Sequence, residues 1–331
     1  MSKFKYIYSN KNNLNNVSYI LDSNILITLK HLYLGQLDLQ NFNDTMDMLY
    51  KISPYDVIPG VAIAELTYNF EHSYRNVELE KEYLNIANYT LNYPQLHLGY
   101  LNAKTENSKK KRAKTNFQKK KFSSLNKNKN LNDHLIPTFC ILKKFSLLLA
   151  QKKSNKQIYE DIIDFIISDL KMSLGLELIL IQYCLLSKHG YKAFSEIFKI
   201  KDKYNLPDNN IYNASWDIFF LRLILLTTSL NKNNETLFDI KNPCLITSDE
   251  GLYNFYNSLD IKYIDHYNGE KFPGISISLD TIKPDYHNII LKCEDKLKET
   301  KTDRINFLKE LPDSISYFSS LLEKLYNESE K

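Results

Sequence analysis

Four acidic residues stand where a carboxylate is costly. Asp22 closes the apolar run Val17-Ser18-Tyr19-Ile20-Leu21, in ILDSNIL, and Asp249 closes a second such run, in CLITSDEGL. Glu65 sits within VAIAELTYNF and Asp217 within SWDIFFLRLILL. A carboxylate among apolar side chains is strongly destabilising unless it is paired, protonated or bound to a cation. No basic residue stands beside any of the four in a way that suggests pairing. Arg222, five positions after Asp217, is turned away from that face of a helix. Hard divalent cations take clustered carboxylates, so Mg2+ or Mn2+ is the counter-charge this set points to. Such a cluster suits metal-assisted phosphoryl hydrolysis, in which an ion lowers the pKa of water or stabilises the leaving oxygen. Simpler roles compete at single positions. Asp22 and Asp249 each precede a helical segment and suit N-caps. Asp217 suits a first helical turn, where anions are favoured.

The elements that must position these groups follow from periodicity. Residues 17–21 read as a buried strand, 55–58 as a second, stopped by Pro59-Gly60, and 244–247 as a third. Residues 261–264 are a further strand candidate, and 272–280 read either way. Helical spacing covers 25–37, 43–52, 61–70, 76–89, 136–150, 158–187, 191–200, 215–228 and 250–257. A helical tail at 305–326 is broken by Pro312. Buried strands alternating with helices predict an α/β fold around a small parallel sheet. That sheet is built from both ends of the chain, with a long, mostly helical insertion between them. Ligand sites in parallel sheets open at strand C-termini, where Asp22 and Asp249 fall.

Charge is unevenly placed. Residues 101–130 hold 11 Lys/Arg and one acidic residue, Glu106. The segment is +10 in a chain of formal charge +4, so the remainder is −6. The tract lacks apolar periodicity. It reads as a solvated loop or as a contact for a phosphate backbone through Lys109, Lys110, Lys111, Arg112, Lys114, Lys119, Lys120 and Lys121. The 331 residues, 43% hydrophobic and 25% charged, fit a folded protein and exclude a disulfide scaffold or a fibre. Cys140, Cys184, Cys244 and Cys293 have no paired spacing, which suits a reducing compartment and argues against a zinc ribbon. No secretory signal is recognised at the N-terminus, and the most apolar stretch, LGLELILIQYCLL, is too short to span a bilayer. The expected location is cytoplasmic, with no membrane partner. The seven histidines have no zinc-helix spacing, and no nucleophile elbow or phosphate-binding glycine loop is present.

The four acidic positions, in order and each on its element, resemble the signatures of PIN-domain ribonucleases. Asp22-Ser23-Asn24-Ile25-Leu26 resembles the family's first motif. Glu65 in IPGVAIAEL, Asp217 in NASWDIFFLRL and Asp249 in LITSDEGL resemble the other three. The resemblance covers roughly residues 17–89 and 211–265. It implies a three-layer α/β/α PIN-like domain over 1–265, with the basic loop at 101–130, a helical insertion at 131–210, and a C-terminal extension at 266–331. It also implies a metal-dependent endoribonuclease acting by hydrolysis. In that reading Asp22, Glu65, Asp217 and Asp249 hold the ions and carry catalysis, and Asn24, Asn213 and Ser248 support them. Arg222 and Lys30 are weaker phosphate contacts, and Tyr68 and Tyr74 are candidates for stacking on bases. The expected partner is nucleic acid, RNA ahead of DNA.

Two alternatives remain beside this reading. The same cluster would serve a DNA nuclease or a phosphatase, although Asn at position 24 counts against a dehalogenase-like phosphatase. A PIN-like fold would also serve as a non-catalytic scaffold. The apolar faces of the insertion and tail need cover. Internal packing is the plainer account, and a second copy or a protein partner is the other.

Overall fold

A computed structural model describes residues 3–9, 17–69, 74–92, 131–172, 175–230, 240, 242–265 and 271–329. The chain divides into two compact units, Met1–Lys129 with Leu223–Asp249, and Asn130–Arg222 with Glu250–Lys331. The class is α/β: a mostly helical protein with a small mixed sheet.

The first unit holds β1 (Lys5–Tyr8), β2 (Ser18–Leu21), α1 (Ser23–Leu34), α2 (Leu39–Ile52), β3 (Asp56–Ile58), α3 (Gly60–Thr67), the short β4 (Tyr68–Asn69) and β5 (Tyr74–Arg75), α4 (Val77–Asn92) and β6 (Pro243–Thr247). The sheet order is β1-β6-β2-β3. Strands β6, β2 and β3 are parallel, with Leu21 opposite Ile246 and Ile20 opposite Ile58. Every residue of β2 and β6 is buried, as strands covered on both faces require. On one face Tyr19, Leu21, Cys244 and Ile246 pack with Ile25 and Leu29 of α1 and Met46 and Leu49 of α2. Helix α1 stops at Gly35, whose φ of 69° lets its N–H return to Leu32 O at 3.1 Å.

The sheet departs from the expected all-parallel form. Strand β1 runs antiparallel to β6, with Lys5 opposite Thr247 and Tyr8 opposite Cys244. Its Lys-Tyr-Ile-Tyr alternation is a period-two signal, but four residues beside a polar run are too short to weigh without the partner strand.

The second unit is built on α5 (Asn132–Ala150), α6 (Asn155–Phe165), α7 (Gly175–Leu186), α8 (Gly190–Phe198), the Asp208–Arg222 part of α9 (Asp208–Leu230), and α10 (Glu250–Ser258). A hairpin of β7 (Leu259–Asp265) and β8 (Lys271–Ile277) follows, then α11 (His287–Glu299), α12 (Lys301–Glu310) and α13 (Ser314–Ser329). The strand expected at 261–264 is therefore in a separate two-stranded sheet, paired with β8, and not in the core sheet. Pairing follows the short connection, which favours a hairpin. The single helix expected over 158–187 is divided. Helix α6 passes into a π-helical turn, Ile166–Leu170, and ends at Lys171 in the left-handed region, φ 53°. Apolar spacing continues across that turn, so periodicity alone reads through it. Among the described residues no helix is long and apolar enough to cross a membrane. All four cysteines are free and buried.

Candidate active site

The parallel register brings two strand ends together. Asp22 follows β2, and its N–H continues the ladder to Ile246 O at 3.0 Å. Its residue across the ladder is therefore Thr247, the last of β6. The Thr247 hydroxyl donates to Asp22 Oδ2 at 2.5 Å and accepts the N–H of Asp249 at 2.8 Å. One hydroxyl thus ties both strand-end aspartates into one arrangement.

Asp22 occupies the N-cap position of α1, but its side chain makes no capping bond. The backbone carbonyl serves the helix, accepting from Ile25 N at 3.0 Å. The carboxylate accepts from Asn24 Nδ2 at 3.2 Å and Ser23 Oγ at 3.3 Å as well as from Thr247. It is 1% exposed. Burial raises its pKa most; the Thr247 and Asn24 bonds oppose that, and the charge of Asp249 adds to it.

Glu65 lies in the second turn of α3, which Pro59-Gly60 starts immediately beyond β3. Its carboxyl is held well above the ordinary range by burial and by the charge of Asp22, with bonds from Ser23 opposing and Asp249 adding a smaller push. Its Oε2 is buried and has no hydrogen-bond partner among the described residues. Asp249 is 8% exposed. Three carboxylates of the first unit therefore sense one another's charge in a desolvated place.

The remaining expected residues are distributed as follows. Asn24 is exposed and donates to Asp22. Ser248 is half-buried, and the hydroxyl that organises the aspartates is its neighbour's. Asp217, half-buried, and Asn213, exposed, lie one turn apart on the second unit's part of α9. The eight basic residues from Lys109 to Lys121 lie outside the described residues. Arg222 is engaged inside the second unit, where it pairs with the fully buried Glu177 beside Thr138. Lys30 pairs with Glu82 at 2.8 Å. Thr247 and Ser23 were not singled out by sequence. The available signal was the strand ending Ile-Thr-Ser-Asp, which does not say which hydroxyl faces the neighbouring strand.

Carboxylates are the donor type that a hard divalent cation takes. There are three carboxylates, one with an unsatisfied buried oxygen, and burial that penalises unneutralised charge. Among the described residues, no group of three or more His, Cys, Asp or Glu side chains is placed so that it could hold a metal ion. No family model matches the chain, and no curated protein or solved structure does either.

Proposed function

We propose that the first unit is a divalent-metal-dependent nuclease, an endoribonuclease of PIN-like three-layer architecture. The observation that carries this reading is the acidic trio, Asp22 and Asp249 buried and Glu65 half-buried, with the buried Glu65 Oε2 lacking a partner among the described residues and Thr247 coupling Asp22 to Asp249. Desolvated carboxylates at one strand end store electrostatic repulsion that a cation relieves. Asp22, Glu65 and Asp249 would hold Mg2+ or Mn2+. When bound, such an ion supplies Lewis-acid stabilisation of phosphate charge and a water of lowered pKa.

The chain's own residues supply position. Thr247 and Asn24 both donate to Asp22 Oδ2, Ser23 donates to Oδ1, and Ser23 also orients Glu65. The crevice outside parallel strand ends is where the sheet leaves room for a phosphodiester. The reading stands on the first unit's three carboxylates. Asp217→Asn is the separate test of the fourth expected position.

The test is cleavage of single-stranded and structured RNA, with matched DNA, in Mn2+, Mg2+ or EDTA. It is run beside an Asp22→Asn/Asp249→Asn double variant. Metal-dependent cutting, lost in the folded double variant, is the expected result, with RNA the better polymer. Preferred cutting of DNA moves the assignment to a DNA nuclease. One observation favours a second reading, a non-catalytic scaffold: among the described residues no group of three or more His, Cys, Asp or Glu could hold a metal ion. Absence of both cutting and Mn2+ binding by calorimetry would establish that reading instead.

A further inference from the structure

The second unit carries a basic surface that its own acids do not neutralise. Residues 151–156 and 188–204 hold eight lysines and two acidic residues, in a chain whose charge outside 101–130 is −6. The two segments are joined at two points. The Lys152 ammonium lies 5.9 Å from the centroid of the Tyr204 ring. Asn155 Nδ2 donates to Leu185 O at 2.7 Å, which sets the start of α6 beside the end of α7, just before Lys188. The loop after α8 is fixed in turn. The Tyr191 hydroxyl donates to Lys201 O at 2.6 Å, Ser146 Oγ to Leu206 O at 3.1 Å, and the Tyr204 N–H to Asp202 Oδ1 at 3.0 Å.

Some of the charge is answered locally. Lys153 pairs with Asp161 at 2.7 Å and Lys192 with Glu196 at 3.5 Å. Lys152, Lys156, Lys188, Lys201 and Lys203 make no ion pair among the described residues, and all but the half-buried Lys203 are exposed. Lys203 lies 5.0 Å from the same Tyr204 ring as Lys152, so one ring gathers two ammonium groups. Like charges held this way repel until an anion lies near both. Helix chemistry does not account for the set. A cation suits a helix C-terminus and opposes the dipole at an N-terminus. Yet Lys156 lies in the first turn of α6, and Lys188 stands just ahead of α8. Lys152 has a φ of 54°, a left-handed conformation that glycine adopts at lower cost.

We infer that this face of the second unit binds the phosphate backbone of nucleic acid. A small anion could meet the Lys152–Lys203 pair alone. Cations brought from the turn after α5, the start of α6, the approach to α8 and the loop beyond it call for a charge that repeats along a polymer. An ammonium group is a point charge and reads no base edge, so the face holds nucleic acid without sequence preference. Tyr204 positions two of the ammonium groups and need not touch a base. The face lies outside residues 17–89 and 211–265, uses none of the acids discussed above and requires no cleavage, so it goes beyond the nuclease reading.

The experiment is titration of the full chain, in EDTA, into a labelled mixed-sequence single-stranded oligonucleotide at several salt concentrations. Each phosphate contact adds about 0.7 to the slope of log affinity against log salt for a single strand. The triple variant Lys152→Gln/Lys201→Gln/Lys203→Gln is expected to flatten that slope by about 2, whatever the rest of the chain contributes. Its deficit against wild type then shrinks about 20-fold between 50 and 200 mM salt. A second set, Lys156→Gln/Lys188→Gln/Lys201→Gln, is expected to do the same, so the test survives if one set fails to fold. Lys298→Gln/Lys301→Gln/Lys309→Gln removes equal charge from α11 and α12 and is expected to leave the slope as in wild type. An unchanged slope in the folded face variants overturns the inference, as does equal flattening in the α11–α12 control or no binding by wild type. Tighter binding to phosphatidylserine vesicles or to polyglutamate, lost with the same substitutions, overturns the assignment to nucleic acid. Cleavage with Mn2+ is scored separately. A flattened slope without any cutting keeps the face and removes the nuclease reading, whereas cutting with an unchanged slope does the reverse.

Discussion

Thr247→Val tests the link between the two strand ends. Valine matches threonine in shape, and Thr247 is fully buried, so the change removes a hydroxyl without opening a cavity. Two bonds go with it. Asp22 Oδ2 loses its 2.5 Å donor, and the Asp249 N–H loses its 2.8 Å acceptor. A hydrogen bond to a charged group contributes about 1.5–3 kcal/mol, and a buried N–H left without a partner costs about 1–3 kcal/mol. The two losses share one atom and relax together, so the expected destabilisation is about 3 kcal/mol. Thr247→Ser keeps the hydroxyl and loses only a methyl group, for which about 1 kcal/mol is expected. The readout must report the first unit. Trp216, the sole tryptophan, belongs to the second unit, so its fluorescence is the wrong probe. Hydrogen exchange across Ser18–Leu21 and Pro243–Thr247 measures the opening free energy where the bond lies. A loss below about 1 kcal/mol in Thr247→Val, or equal losses in the valine and serine variants, would refute the proposed coupling.

Three further outcomes are expected. Burial holds Glu65 and Asp22 above their ordinary pKa values, so the folded state binds more protons than the unfolded chain above about pH 4.5. Stability in EDTA therefore falls as pH rises through that window, by at most about 1.4 kcal/mol per pH unit for each proton. Glu65→Gln removes one such proton, and urea titrations should show a shallower fall; an unchanged slope contradicts the assignment. Arg222→Met strands the fully buried Glu177 and should cost about 3–5 kcal/mol by Trp216 fluorescence, with Glu177→Gln added to it recovering much of the loss. Equal stability of the single and double variants would sink this account. A Cβ at Gly251 would clash with the backbone oxygen of Glu196, so Gly251→Ala must push α8 and α10 apart and should lower stability by about 1–3 kcal/mol in the same assay. No loss would mean that the helices separate freely.

Parts of this arrangement are legible locally. The runs SYIL and PCLIT are apolar throughout and end at hydroxyl and acidic residues, so both strands and their terminal aspartates can be read from a few adjacent letters. Glu65 stands out for the same reason, an acid among Ala, Ile and Leu just past Pro59-Gly60. Helix ends are less legible. Lys171 stops α6 and its π turn in a left-handed conformation that its residue type does not announce, and the antiparallel β1 is too short to be recognised before its partner is known.

The sequence by itself determined which segments are apolar enough to be buried strands and which acids interrupt them, because hydrophobic spacing is a property of neighbouring residues. The tertiary structure decided what those acids touch. Thr247 and Asp22 are 225 positions apart, and their bond exists only because β2 and β6 pair in one of several possible registers. Arg222 meets Glu177 across 45 positions, which turns an isolated buried acid into half of an ion pair. Glu65, by contrast, keeps an oxygen with no partner among the described residues. Register and side-chain pairing depend on long-range packing, so only the folded chain separates Glu177, paired with Arg222, from Glu65, whose charge burial penalises.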